Sequence, residues 1–295
     1  MNRDYCFIGG TPKSGTSSVF DNLSRLNSFC PSNPKETFYF MDSTNPLLNK
    51  VRNYHIDGKD GFNYYFSVNC SGKYLEATSH LLYQTQIIDE IKDLRPKIVF
   101  LLRSPENRVL SSFNYTKNNL GRVKKGLEFG LYVDILLYEK EDSLKKWITN
   151  PQSLYVLQRE LSYSRYVKFL DVWKRSFQDE VKVMFYENMI SSPNEFYSEL
   201  CKFFEVPNDI KDTPLRKKNE TFEMRNSQLH FVLSKIRDFG IFRHDVFQPL
   251  KTIYNKIQNK PMSEKIDTKA VNKLKEYYLP YNKELEKFLG CQLPW

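Results

Sequence analysis

Short apolar runs alternate along this chain with longer stretches of helical periodicity, and that alternation limits the folds open to it. The runs fall at Tyr5–Ile8, Phe38–Phe40, Tyr74–Leu75, Ile98–Leu102 and Val181–Phe185. Between them lie stretches that read as helices, notably Thr16–Leu26, Leu82–Leu94, Glu106–Tyr115, Leu154–Phe169 and Asn194–Phe204. Strands that are apolar throughout are buried on both faces, and strands that alternate with helices build a parallel sheet covered on both sides. Two regions, Leu120–Trp147 and Lys211–Lys260, fit the strand pattern poorly and read as helical or loop elaborations. A chain of 295 residues is long enough to bury a sizeable core, and the expectation is a single domain, 1–295.

In such a sheet ligands sit at the carboxyl ends of the strands, and two of the strand-to-helix transitions carry anion-site chemistry. Gly10-Thr-Pro-Lys13-Ser14-Gly15-Thr16-Ser17 follows the first run, and Arg103-Ser-Pro105-Glu-Asn-Arg108-Val-Leu-Ser111 follows the fourth. A glycine-containing turn lets backbone N–H groups converge on an anion, and the helix N-terminus beyond it adds its positive dipole end. The fold class is therefore α/β of the P-loop type, a parallel sheet flanked by helices on both faces.

The loop departs from the nucleotide triphosphatase pattern in a way that changes its ligand. That pattern, G-x-x-x-x-G-K-[ST], places lysine after the second glycine and a metal-holding aspartate at the end of a neighbouring strand. Gly10 and Gly15 keep the glycine spacing, but Thr16 occupies the lysine position, the loop lysine is Lys13, and Ile98–Leu102 ends in Arg103. Arginine holds an anion and no metal. The sequence thus points to a ligand with phosphates at two separated places, and no metal site is expected.

Both motifs resemble the sulfotransferases that use 3′-phosphoadenosine 5′-phosphosulfate (PAPS). Pro12-Lys13-Ser14-Gly15-Thr16-Ser17 matches their P-K-S-G-T-[ST] loop for the 5′-phosphosulfate, and Arg103 through Ser111 matches their R-x-P-x-x-R-x-x-S segment for the 3′-phosphate. Further similarity favours the carbohydrate branch, which includes heparan-sulfate enzymes and bacterial relatives. Lys35-Glu36-Thr-Phe38-Tyr-Phe40-Met-Asp42 resembles K/N-E-x-H-F-F-D, Gly61–Phe66 resembles G-x-x-W-Y, and Glu76-Ala77-Thr78-Ser79 resembles E-K-[ST]-P or E-A-S-P. Ser164-Arg-Tyr166 with Trp173, and Leu274–Trp295, extend the resemblance over nearly the whole chain.

The resemblance implies a metal-independent transfer of the sulfuryl group from PAPS to a hydroxyl, on a carbohydrate or glycolipid, with adenosine 3′,5′-bisphosphate as product. Lys13 is the expected cation at the leaving oxygen and Glu36 the expected base, matching a glutamate of the carbohydrate enzymes. Ser14, Gly15, Thr16, Ser17 and Ser18 are expected around the phosphosulfate, although their hydroxyls could equally cap the helix. Arg103 and Ser111 are expected at the 3′-phosphate, and Lys217 and Lys218 fall where the family places a cofactor-covering loop. Phe38 stands where histidine is common and Ala77 where some relatives carry lysine, so the acceptor pocket is not a copy of theirs. Cytosolic members use a histidine base; the corresponding place is near Thr78, with His80 two residues on. A P-loop kinase and a non-catalytic glycan- or anion-binding module stay open as alternatives.

Composition excludes little more. A net charge of +9 calls for an acidic partner, but the basic clusters Arg122-Val-Lys124-Lys125, Lys145-Lys146 and Arg216-Lys217-Lys218 are short and carry no nucleic-acid signature. Five widely spaced cysteines suggest neither a disulfide framework nor a zinc site. No run reaches the roughly 18 apolar residues of a membrane span and no signal peptide is evident, so a cytoplasmic location is expected.

Overall fold

A computed structural model describes residues 4–139, 141–212, 222–224, 259–261 and 267–295. The chain divides into two compact units: Met1–Ser104 with Arg165–Asn219 and Pro280–Trp295, and Pro105–Ser164 with Glu220–Leu279.

The first unit contains a five-stranded parallel sheet of β1 (Tyr5–Gly10), β2 (Phe29–Pro31), β3 (Lys73–Glu76), β4 (Lys97–Leu102) and β5 (Val181–Phe185), in the order β2-β3-β1-β4-β5. β1 is central, so the chain moves to one side of it for β2 and β3 and to the other for β4. That reversal opens a crevice at the carboxyl end of β1, where ligands of open α/β sheets bind. One face of the sheet presents Cys6, Ile8, Leu75, Val99 and Leu101 to α1 (Thr16–Leu23) and to helix Pro193–Phe203. On the other, Phe62 meets the rings of Phe7, Phe40 and Phe66, and Phe100 meets Trp173 edge to face at 5.3 Å. With apolar layers on both sides, the inner strands β1 and β4 are buried along nearly their whole length.

The expected strand Phe38–Phe40 does not form. Phe38 has φ 49°, and the N–H groups of Phe38 and Tyr39 donate to the hydroxyls of Thr78 and Thr37. The edge position belongs to Phe29–Pro31, where a proline is tolerated because an edge strand leaves part of its donors unpaired. The expected helix Leu82–Leu94 is also interrupted. Leu81–Tyr83 is a 3₁₀ turn and Ile88–Lys92 a short helix. The Asp42 carboxylate accepts the N–H groups of Thr85, Gln86 and Ile87 and replaces the helical bonds between them.

The second unit packs around Arg108 on helix Pro105–Asn114. Its fully buried guanidinium donates to the Glu160 carboxylate at 2.5 Å, to the Glu160 carbonyl at 3.1 Å and to Ser164 Oγ at 2.8 Å. These bonds, with Ser112 Oγ on Glu160 Oε1 at 2.6 Å, hold the chain where the expected helix Leu154–Phe169 divides into Pro151–Gln158 and Glu160–Tyr163. A separate helix, Val167–Phe177, follows. Helix Phe129–Tyr138 occupies the elaboration expected at Leu120–Trp147. Of the stretch expected as helix or loop at Lys211–Lys260, the described part holds the end of the 3₁₀ turn Asp209–Asp212 and a strand, Phe222–Met224, that pairs antiparallel with Asn259–Pro261; residues 213–221 and 225–258 lie outside the described residues.

Candidate active site

The turn between β1 and α1 is shaped by hydrogen bonds that the glycines make sterically possible. Thr11 donates its N–H and its hydroxyl to the Leu101 carbonyl, at 2.7 and 3.1 Å, tying the loop to the end of β4. Its Oγ1 lies 2.6 Å from Ser14 Oγ, and Ser14 is fully buried. Gly15, at φ 86°, caps α1 with no side-chain bond; a Cβ there would stand 2.7 Å from Met189 Cε and 3.0 Å from Tyr186 Cδ2. The hydroxyls of the loop therefore do not serve as the N-cap. The first-turn N–H groups of a helix have no partners within it, which is what lets such an end receive an anion.

Arg103 leaves the end of β4 and joins this loop. Its Nη1 donates to the Lys13 carbonyl at 2.9 Å, and its guanidinium lies 4.5 Å from the centre of the Tyr186 ring. Lys13 itself has φ 70°, a left-handed backbone that the Arg103 bond helps to hold. Tyr166 donates to the Arg103 carbonyl at 2.7 Å, and Glu187 accepts the Ser104 N–H at 3.0 Å. The two anion motifs, 90 residues apart, thus meet at one hydrogen bond.

A second loop brings Glu36 to the same edge of the sheet. Its Oε1 accepts from Lys35 Nζ at 3.1 Å, Ser79 Oγ at 2.6 Å and Ser79 N–H at 3.2 Å. Lys35 Nζ also donates to the Ala77 carbonyl at 3.0 Å. Burial pushes the Glu36 pKa up, but the Lys35 charge, the Ser79 hydroxyl and the His80 ring outweigh it and hold the carboxyl below the ordinary glutamate value. The side chain retains 32% of its exposure, so this carboxyl, held toward its ionised form, is only partly withdrawn from solvent.

Buried Glu76, at the end of β3, fastens this arrangement. It accepts the N–H and hydroxyl of Thr37 at 3.0 and 2.9 Å and the N–H of Thr78 at 2.9 Å, and it also accepts the Thr78 hydroxyl. Burial is the largest influence on its pKa and raises it; the four bonds oppose that rise without cancelling it. The loop next to Glu36 and the loop carrying Ser79 are consequently pinned to one carboxylate. The Ser79 carbonyl in turn lies against Gly10, where a Cβ would stand 2.7 Å from it.

Among the residues singled out from sequence, Lys13, Ser14, Gly15, Thr16, Ser17, Ser18, Glu36 and Arg103 all belong to the first unit, around the carboxyl ends of β1, β3 and β4. Lys13 and Ser17 are half-buried, and Thr16 and Ser18 are buried. Ser111 is half-buried on helix Pro105–Asn114 of the second unit. Lys217 and Lys218 lie outside the described residues. His80 follows Ser79 and sits with its ring 6.4 Å from that of Phe38 and 6.0 Å from that of Tyr83. No cluster of three or more histidine, cysteine or acidic side chains suited to a metal ion occurs among the described residues. None of their helices is long and apolar enough to cross a membrane. Sequence reasoning passed over Ser79, Glu76 and Tyr186 as working parts. The first two stood inside a quoted motif; Tyr186 carried no signal at all.

Comparison with known proteins supplies the class of chemistry. Among solved structures, a sulfotransferase from Alicyclobacillus acidocaldarius matches at a TM-score of 0.64 with 17% identity, covering 99% of this chain and 97% of that one. The sulfotransferase domain from the curacin biosynthetic pathway matches at a TM-score of 0.38 with 14% identity over 70% and 75% of the two chains. Mouse sulfotransferase SULT7A1, solved with PAP, matches at 0.41 with 14% identity over 94% and 89%. No curated protein sequence matches significantly. The model of the sulfotransferase domain matches residues 3–276, nearly the entire chain. With the lysine-shifted loop, the arginine at the end of β4 and this match in agreement, the chain belongs to the sulfotransferase domain family.

Proposed function

We propose that this sulfotransferase takes its sulfuryl group from PAPS and transfers it by in-line displacement to a hydroxyl of a carbohydrate or glycolipid, within one functional domain spanning 1–295. The observation that carries the reading is Glu36: an ionised carboxylate held by Lys35 and Ser79, on a loop joined through Ser79 to Gly10 at the base of the phosphate loop. A carbohydrate acceptor is favoured because Lys35-Glu36 falls in the segment that resembles the carbohydrate enzymes. A kinase would need a lysine at Thr16 and a carboxylate at Arg103, and the family membership is that of a sulfotransferase.

The residues present fit a nucleotide with two phosphate positions. The α1 N-terminus and the Lys13 loop would hold the 5′ side, and Arg103 the 3′-phosphate, with Ser111 and the Lys217-Lys218 segment as further candidates. When bound, PAPS supplies the sulfuryl group and departs as adenosine 3′,5′-bisphosphate. With the cofactor bound, Lys13 would supply the ammonium that stabilises the negative charge growing on the leaving oxygen. Glu36 takes the proton of the attacking hydroxyl, as a general base does within hydrogen-bond reach.

The reading is tested by calorimetric titration with adenosine 3′,5′-bisphosphate, with and without EDTA, followed by ³⁵S transfer from labelled PAPS to a panel of glycans, glycolipids and phenols. Lys13→Ala and Arg103→Ala should weaken bisphosphate binding. Glu36→Gln should bind it normally and lose turnover by about 10²–10⁴-fold. Unchanged turnover in Glu36→Gln, with a large loss in His80→Ala, would move the base to His80. Transfer to phenols alone would remove the carbohydrate assignment.

A further inference from the structure

We infer that Ser79 is a positioning residue which, together with Lys35, ties down Oε1 of Glu36 so that Oε2 is the oxygen presented to the acceptor hydroxyl. This rests on the reading of Glu36 as the base. Three donors, Ser79 Oγ, Ser79 N–H and Lys35 Nζ, converge on Oε1 within 3.2 Å, while no described residue donates to Oε2. A carboxylate oxygen has about two lone-pair directions, so three donors leave no acceptor capacity on Oε1 for a fourth. The proton of an acceptor can then be taken only by Oε2.

The anchor is itself immobilised from three sides. Ser79 is buried, and the N–H and hydroxyl of the preceding Thr78 are both held by Glu76. The Ser79 carbonyl rests against Gly10, and the second bond of Lys35 goes to the Ala77 carbonyl. A glutamate side chain has three rotatable bonds. Fixing one oxygen through donors that cannot shift fixes the direction of the other, and a base that is misdirected by even about 1 Å loses much of its advantage. The neighbouring titratable groups that act on Glu36 are Lys35 and His80, and none of the Ser79 variants proposed below alters them.

The test is a ¹³C NMR titration of the protein labelled at glutamate Cδ, with the Glu36 signal assigned by its disappearance in Glu36→Gln. Ser79→Ala should move the Glu36 titration to higher pH, because a donor to the ionised form is lost. Ser79→Thr, which keeps the hydroxyl, should return it toward the wild-type position. Adenosine 3′,5′-bisphosphate binding of Ser79→Ala should stay near wild type, while its melting temperature should fall by a few degrees, as the loss of one hydrogen bond to the ionised carboxylate requires. A Glu36 titration unmoved in Ser79→Ala, or moved equally in Ser79→Ala and Ser79→Thr, overturns the inference. Should Ser79→Ala not fold, Ser79→Cys, a weaker donor of similar size, takes its place with the same expectation. Failure of the base reading looks different: Glu36→Gln would transfer sulfate at the wild-type rate while the Ser79-dependent shift persisted.

Discussion

Arg103 and Glu36 show how a charged side chain is made specific by what holds its unreactive part. Arg103 spends one donor on the Lys13 carbonyl and lies on the face of Tyr186, which restricts where its other N–H groups point. A cation over an aromatic ring is worth about 0.5–1 kcal/mol at an exposed site. Tyr186→Leu should therefore weaken adenosine 3′,5′-bisphosphate about two- to five-fold by calorimetry, while Tyr186→Phe, which keeps the ring, should not. For Glu36 the folded pKa lies below the unfolded one, so its ionised form contributes stability above the unfolded value of about 4.3 and loses it as pH falls through the folded value. The difference in urea midpoint between wild type and Glu36→Gln should accordingly be constant above about pH 6 and shrink on acidification through the carboxylate range. Lys13, Glu36 and Arg103 could be singled out in the sequence as candidates because each sits in a motif with fixed spacing, and the roles given to them are the proposal made above. Ser79 and Tyr186 could not, because their parts depend on contacts with residues 43 and 83 positions away.

Among the elements, the inner strand Lys97–Leu102 was readable because burial on both faces leaves an uninterrupted apolar run from Ile98 to Leu102, whereas the short edge strand Phe29–Pro31 gave no such run. The loops that carry Glu36 and Ser79 were not readable. Phe38–Phe40 has the composition of a strand, but its backbone donors are claimed by Thr37 and Thr78, whose own hydroxyls are held by Glu76. Periodicity cannot register a buried carboxylate 39 residues away that organises the segment from outside. Glu76→Gln replaces one acceptor oxygen by a donor and leaves a buried N–H or hydroxyl unpaired, at a cost of about 1–3 kcal/mol. Urea denaturation should show that loss together with a fall in sulfate transfer, since both loops are freed at once. In the second unit the corresponding element is the Arg108–Glu160 pair, which has no exposed side-chain surface. Arg108→Met strands a buried carboxylate and should cost about 3–5 kcal/mol, whereas Arg108→Met combined with Glu160→Leu should cost less than the single change. The same denaturation experiment checks both.

For the whole molecule, the excess of nine positive charges suits a donor carrying several negative ones, and its contribution is long-range and screened by salt. Binding of adenosine 3′,5′-bisphosphate should weaken steadily as potassium chloride rises from 50 to 500 mM, about these limits spanning Debye lengths of roughly 14 to 4 Å. A flat salt dependence by calorimetry would assign recognition to local contacts alone. The family match extends across parts of both compact units. Because the Ser79 carbonyl occupies the space that a side chain on Gly10 would need, a substitution at Gly10 would displace the segment proposed to steer Glu36. A selection scored only on sulfated product would then recover Gly10 alleles that still retain nucleotide, and their phenotype would mimic an acceptor-site defect arising from the opposite side of the reaction.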